Sequence, residues 1–423
     1  MEKKIGNLFK GDKGIWTVFL FLCLISVVEV FSASSTLTYK THNYMIPLVY
    51  HTAMILVGVV VAIITLNIPC RYFKLLTPLM LFITYATLVW VLIGGESING
   101  ANRVIQLPGF TFQPSEIAKG TMVLAAAQIL SAMQREDESG ADPTAMKYVL
   151  WLVVPATLLI GLENLSTAVL LFSVIFVMMF IARVPMKQMG KLTGVLVVLA
   201  ALFLGLVFWM AKLDKEGQEL ERARANGQTE QTVKPAEKKE RSGWEKLTHR
   251  FWTWKNRIVG ESDKNVPAEE YKVTDKNFQV THANFAIASS GIIGKGPGNS
   301  VERDYLPQAF SDFIYAIIVE EMGLLGAIAV VFLYVILLFR AGRIASQCEN
   351  NFPAFLVLGL TLLLVFQAVI NMCVAVDFGI VTGQPLPLIS KGGTSTIVNC
   401  AYIGAILSVS RSAKRKNPSV KTA

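Results

Sequence analysis

Four polar clusters interrupt an otherwise apolar chain, and their residue types set what chemistry is open to it. Asp312 opens the apolar run FIYAIIVEEMG. An aspartate there suits a general base; it also suits a first-turn acid at a helix dipole, and spacing alone favours the second. Glu320 and Glu321 follow about two helical turns deeper, where a carboxylate must be paired, protonated or facing a cavity. Upstream of Asp312 the segment GIIGKGPGNS supplies Gly291, Gly294, Gly296 and Gly298, which let backbone turn tightly. It lacks the strand–loop–helix setting and the Lys-Ser/Thr of a P-loop, so nucleotide binding is not expected.

The second cluster is ANRVIQLPGFTFQPSEIAKG. Pro114 and Glu116 suit the first turn of a helix. Glu116 and Lys119 are three apart and can face each other. Lys119 lies inside an apolar stretch, so it needs a buried carboxylate or an anionic ligand. In the third cluster, TGQPLPLISKGGTSTIVN, Pro385 and Pro387 break any helix. Gly392, Gly393, Thr394 and Ser395 then begin one, with Lys391 beside them. A helix N-terminus next to a lysine could take a phosphate or diphosphate; a re-entrant structural turn fits equally. In ENLSTAV, Asn164 and Ser166 read as capping residues.

These clusters must be positioned by membrane helices. The chain has 423 residues, 53% hydrophobic and 16% charged, whereas soluble domains carry about a quarter charged residues. A span needs about 20 apolar residues. About ten candidates appear, at 14–33, 46–67, 73–94, 114–134, 147–162, 165–183, 192–212, 311–340, 353–375 and 394–411. The first follows a basic start without a small-residue cleavage site, so a retained span is expected rather than a signal peptide. The expected architecture is an all-α integral membrane protein with these segments: N-terminus 1–13, helices one to seven over 14–212, a long outer loop 213–310, helices eight to ten over 311–411, and a tail 412–423.

Charge supports that count. Lys10, Lys13, Arg71, Lys74, Arg183, Lys187, Arg340, Arg343, Arg411 and Lys414 all fall on one side if there are ten spans, with both termini cytoplasmic. The net charge of +9 then reflects membrane anchoring rather than nucleic acid. The long outer loop opens on a mixed-charge run of low hydrophobicity. It continues as WEKLTHRFWTWKNRI, where Trp244, Phe251, Trp252 and Trp254 alternate with basic residues. Both a helix lying on the membrane surface and one packed on the loop fit this pattern. Five scattered cysteines without a CxxC pair, and four histidines without ligand spacing, give no disulfide framework or metal motif.

Taken together, the clusters resemble the SEDS family (shape, elongation, division and sporulation) over nearly the whole chain. FQPSE..K is matched by Phe112 to Glu116 and Lys119. G..G.G.GNS is matched by Gly291 to Ser300, and YLP.A.SDFI by Tyr305 to Ile314. EE.G is matched by Glu320, Glu321 and Gly323, and TG.PLP.IS.GG.S by Thr382 to Ser395. FSASS, Phe31 to Ser35, resembles the family's first helix, and its wording is closer to the division branch than to the elongation branch. The chain departs from the family at Val104, Asn164, Ser166 and Lys391, where a tryptophan, an aspartate, a glycine and an aromatic are usual.

The resemblance implies a peptidoglycan glycosyltransferase that polymerises lipid II at the outer face of the cytoplasmic membrane, at the division septum. It implies Asp312 as catalytic residue. It implies substrate contacts from Arg103, Gln113, Ser115, Glu116, Lys119, Asn299, Ser300, Glu320, Glu321, Ser390, Lys391, Gly392, Gly393, Thr394 and Ser395. A divalent cation, Mg or Mn, could share in neutralising the leaving diphosphate. Expected partners are lipid II, the nascent glycan strand, membrane lipids, a class B penicillin-binding protein and divisome regulators of the FtsQ/FtsL/FtsB type, with no nucleic acid. No SxxK nucleophile motif is present, so cross-linking is left to the partner. Alternative readings are a lipid II flippase, an elongation-type polymerase and a non-catalytic divisome scaffold.

Overall fold

Long apolar runs with no charge can satisfy their backbone inside lipid only as helices, and helices dominate the computed structural model. It describes residues 10–33, 45–98, 101–107, 110–136, 140–225, 273, 277–306, 309–379 and 381–413. In chain order these form α1 (Lys13–Ala33), α2 (Met45–Asn67), α3 (Cys70–Gly94), β1 (Glu96–Ile98), β2 (Ala101–Leu107), β3 (Phe110–Phe112), α4 (Pro114–Ala132), α5 (Ala145–Glu163), α6 (Leu165–Ile181), α7 (Met186–Ala225), α8 (Phe278–Ala288), a 3₁₀ turn (Glu302–Asp304), α9 (Ile314–Ser346), α10 (Asn351–Ala375) and α11 (Thr394–Ala413).

Each expected span coincides with a helix. Among the described residues, seven helices are long and apolar enough to cross a bilayer: α1, α2, α3, α5, α7, α9 and α10. The other three differ for physical reasons. α6 is apolar but only 17 residues long. α4 and α11 are rich in Ala, Gly, Ser and Thr and are buried on most faces. An interior helix needs small residues for close approach rather than a greasy surface. Lipid-facing positions show the converse: Ile93 is 82% exposed and Trp151 78%.

The chain divides into two units. One runs to Pro185 and resumes at Phe278; the other is Met186–Asn277. In the second unit α7 continues to Ala225, past the expected loop start at 213, because the polar run KLDKEGQELERARA still favours helix. The Trp-rich segment at 244–258 lies outside the described residues.

In the first unit, α10 is the most enclosed of the spanning helices. At Gly359 it approaches α4 and α6 so closely that a Cβ would lie 2.6 Å from Val123 Cγ1 and Met178 Sδ. The expected turn between α5 and α6 is present. Asn164 ends one helix and caps the next, its Oδ1 accepting from the Thr167 N–H at 3.2 Å. The expected polar loop at 95–113 is instead a three-stranded antiparallel sheet in the order β1-β2-β3.

α9 is not continuous. Gly323 at φ +67° breaks it, and the glycine segment packs into the gap. The Glu320 and Glu321 carbonyls left by the break accept from the Lys295 and Gly296 N–H groups at 3.0 and 2.8 Å. The Leu324 and Leu325 N–H groups donate to the Gly291 and Ile292 carbonyls, both at 3.2 Å. A Cβ at Gly294 would sit 2.3 Å from the Glu321 carbonyl oxygen, so only glycine allows this approach. Two carbonyls and two N–H groups at the break are thereby reused.

Candidate active site

Asp312 lies two residues before α9, on a turn whose capping position is Phe313. It is half-buried, and its Oδ1 accepts from Ser311 Oγ at 2.8 Å. Its carbonyl accepts from Asn371 Nδ2 of α10 at 2.8 Å. The carboxylate borders a cavity of about 350 Å³ lined by α2, α4, the sheet, Asn164, residues 310–312 and the segment 383–395.

The adjoining wall is the non-helical segment between α10 and α11. Buried irregular backbone persists only when its polar groups are satisfied. Here four carbonyls are captured one by one. Gln384 O accepts from Asn371 Nδ2 at 2.7 Å, and Pro385 O from Gln367 Nε2 at 3.0 Å. Pro387 O accepts from the Tyr334 hydroxyl at 2.5 Å, and Ile389 O from Ser26 Oγ at 2.6 Å. Ser390 Oγ donates to the Ser311 carbonyl at 2.6 Å, which ties this segment to the residue beside Asp312.

Lys391 follows directly. Its N–H donates to the Phe310 carbonyl at 2.9 Å, and its ammonium lies 5.2 Å from the centre of the Phe310 ring. It borders the same cavity as Asp312 and has no carboxylate within ion-pair distance among the described residues. Burial lowers its pKa from the ordinary lysine value.

Of the residues expected from sequence, the cavity lining brings together Asp312, Gln113, Glu116, Lys391, Gly392, Gly393 and Ser395. Thr394 is nearby, its hydroxyl donating to the Thr111 carbonyl at 2.9 Å. Arg103 lies on β2, next to the lining residue Val104. Ser115 accepts from Gln113 Nε2 at 3.1 Å.

Lys119 meets its charge requirement inside the bundle. It is fully buried, 2.9 Å from Glu116 Oε1 and 2.7 Å from Gln367 Oε1, and does not border the cavity. Nor are all amides at the start of α11 open: those of Ser395 and Thr396 donate to the Gly392 and Gly393 carbonyls at 3.0 and 3.2 Å. The Gly-Gly turn winds tightly into the helix and spends them. The cation at this wall is therefore Lys391.

Glu320, Glu321, Asn299 and Ser300 stand elsewhere, at the break in α9. Glu320 accepts from Lys295 Nζ at 2.6 Å, the Val301 N–H at 3.0 Å and the Ser300 hydroxyl. Glu321 accepts from the Gly298 and Ser300 N–H groups at 3.0 and 3.2 Å and from Ser32 Oγ, with Arg303 at 3.9 Å. Asn299 Nδ2 donates to the Lys295 carbonyl at 2.9 Å. Both carboxylates are fully buried and saturated by the glycine segment they hold.

Sequence reasoning passed over Tyr50, His51, Met54, Ser311 and Gln384, which border the cavity, and took Asn164 for a cap alone. A polar residue inside an apolar run was the available signal for His51.

The fold and cavity define a multi-pass helical membrane protein with one wall of its site built from a pinned, non-helical segment between two helices. The family model described as cell cycle protein, FtsW/RodA/SpoVE, matches residues 12–219 and 251–415, and the chain belongs to that family. It is 30% identical over 94% of its length to a probable peptidoglycan glycosyltransferase FtsW of Halomonas elongata, covering 90% of that protein. It is 28% identical over 97% of its length to the corresponding protein of Trichlorobacter lovleyi, covering 96% of it. Among solved structures, a chain of a peptidoglycan synthase complex superposes with a TM-score of 0.67 at 22% identity, over 96% of this chain and 99% of that one. The rod shape determining protein RodA of Thermus thermophilus superposes with a TM-score of 0.61 at 21% identity, over 97% and 99% of the two chains. These superpositions establish the shared fold.

Proposed function

We propose that this protein is a peptidoglycan glycosyltransferase that polymerises lipid II into glycan strands at the outer face of the cytoplasmic membrane, at the division septum. One observation carries the reading: a half-buried carboxylate, Asp312, and a lysine, Lys391, with no carboxylate partner among the described residues, border the same cavity. The names of the similar proteins support the activity, and their being FtsW proteins supports the division role.

Asp312 takes the proton from the GlcNAc 4-hydroxyl of the acceptor lipid II. That oxygen attacks the anomeric carbon of MurNAc at the lipid-linked end of the growing strand. The bond to undecaprenyl diphosphate breaks with inversion, and the diphosphate carries the charge away. Lys391 stabilises that charge. Glu116 anchors Lys119 and shapes the floor of the cavity.

The donor set does not fit a cation held by protein alone: no group of three His, Cys, Asp or Glu converges among the described residues. No step is routed through a metal.

In this reading the chain has ten spans, both termini are cytoplasmic and the segment between α7 and α9 is outside, so that Asp312 stands at the outer face. Cross-linking falls to a class B penicillin-binding protein, supported by the peptidoglycan synthase complex among the similar structures. Divisome regulators then contact the outer segments. The test is a gel assay for glycan strands from purified lipid II, using the full chain with its partner transpeptidase. Wild type should give strands and Asp312→Ala none, at equal expression. Strand formation by the variant would refute the base assignment.

A further inference from the structure

His51 borders the cavity and has no part in the steps above. It lies within α2 and is 1% exposed. Its Nε2 is 2.8 Å from Ser26 Oγ, and that hydroxyl is 2.6 Å from the Ile389 carbonyl oxygen. A carbonyl only accepts, and a serine hydroxyl carries one hydrogen, so the Ser26 hydrogen is spent on Ile389. The hydrogen in the His51–Ser26 contact must then come from Nε2, which fixes where the ring holds its proton.

Ser26 departs from the commonest pattern of hydroxyls along these helices. Thr17, Thr65, Thr77 and Thr87 each donate to the carbonyl four residues back on their own helix, at 2.8 to 3.0 Å. That is the ordinary fate of a hydroxyl in a helix interior. Ser26 instead reaches across to residue 389, and a donor from His51 occupies its oxygen. Ile389 is two residues from Lys391. Its neighbour Ser390 is tied the other way, to the Ser311 carbonyl beside Asp312.

We propose that His51 is a positioning residue for the cationic wall: its Nε2–H holds the Ser26 hydroxyl on the Ile389 carbonyl and so sets where Lys391 stands relative to Asp312. The inference rests on the reading of this cavity as the glycosyl-transfer site. Loss of the clamp should let residues 386–393 shift and weaken contact with the anionic end of the donor, with the base left in place.

The experiment uses the full chain with its partner transpeptidase and purified lipid II, comparing wild type, His51→Leu, His51→Gln, Ser26→Ala and the His51→Leu/Ser26→Ala double variant. Two readouts are taken: KM and kcat for polymerisation, and hydrogen–deuterium exchange over residues 386–393. His51→Leu and Ser26→Ala should each raise KM about ten-fold with a much smaller change in kcat. The double variant should be no worse than either single, because both remove one chain of bonds. Both singles should speed exchange over 386–393. His51→Gln, whose amide can replace the donor, should stay close to wild type in both readouts.

Wild-type KM and exchange in His51→Leu would overturn the proposal. So would an inactive His51→Leu beside a normal Ser26→Ala, which would put His51 on the substrate directly. Additive losses in the double variant would overturn it as well. If the wild type itself forms no strands, the activity reading fails, and the exchange data alone still decide the clamp.

Discussion

The cavity and the break in α9 use their charges in opposite ways. At the break, Glu320 and Glu321 are fully buried and saturated by Lys295, Arg303, two serine hydroxyls and four N–H groups. A saturated buried carboxylate has nothing left to offer a substrate; it sets backbone geometry. At the cavity, Asp312 is half-buried and borders open space, and Lys391 leans on an aromatic ring rather than an acid. Both regions read as acid-rich motifs in the sequence. What separates chemistry from scaffolding is access: Asp312 and Lys391 border the cavity, and Glu320 and Glu321 do not.

Five changes test that contrast, from the largest expected effect to the smallest. Asp312→Ala should lower strand formation by about 100- to 10,000-fold, the span of a general base, while thermal unfolding in detergent is unchanged. Glu321→Ala should do the reverse. It leaves two amides and the Ser32 hydroxyl without their acceptor, and Arg303 without its counter-charge, at a fully buried site and should cost about 3–5 kcal/mol, seen as lost yield and an earlier unfolding transition. Lys391→Met should lower kcat/KM by about 10- to 100-fold with little loss of stability, because it removes the charge that holds the donor diphosphate and stabilises it as it leaves.

Gly323→Ala should destabilise by about 1–2 kcal/mol from the left-handed backbone alone, and more because its Cβ would sit 2.3 Å from the Ile292 carbonyl oxygen. The smallest effect belongs to Asp12, at the far end of α9. Burial raises its pKa, but hydrogen bonds from Arg340 and the Ile15 N–H outweigh that and hold it below the ordinary carboxylate value. A lowered folded pKa gives stabilisation that is present above the ordinary value and lost as pH falls through the folded one. Asp12→Ala should therefore cost about 1 kcal/mol as a lost helix cap and flatten the acid limb of a stability–pH profile.

The helices were legible in the sequence because uninterrupted apolar runs leave no other way to satisfy backbone in lipid. Lys119 was legible as a residue in need of a partner, and Glu116 three residues earlier was the partner offered. Asp312 and Lys391 were legible as motif residues, but not that they share one cavity, since that closeness is made by α10. The donors that pin the segment 384–390 were hidden. Ser26, Tyr334, Gln367 and Asn371 are single polar residues within apolar spans, and their acceptors lie elsewhere in the chain. The sheet at 96–112 was passed over although Pro108–Gly109, between RVIQL and FTF, is a turn signal between β-prone runs. The helix break escaped notice because the glycine segment and Gly323 complete each other only in three dimensions.

The most direct test of the contrast sets Asp312→Asn beside Glu320→Gln and measures strand formation from lipid II per folded molecule. Asp312→Asn should unfold like wild type and make no strands, whereas Glu320→Gln should be less stable but active in whatever fraction remains folded. Strands from the folded Asp312→Asn protein, or a stable Glu320→Gln protein that makes none, would contradict that contrast.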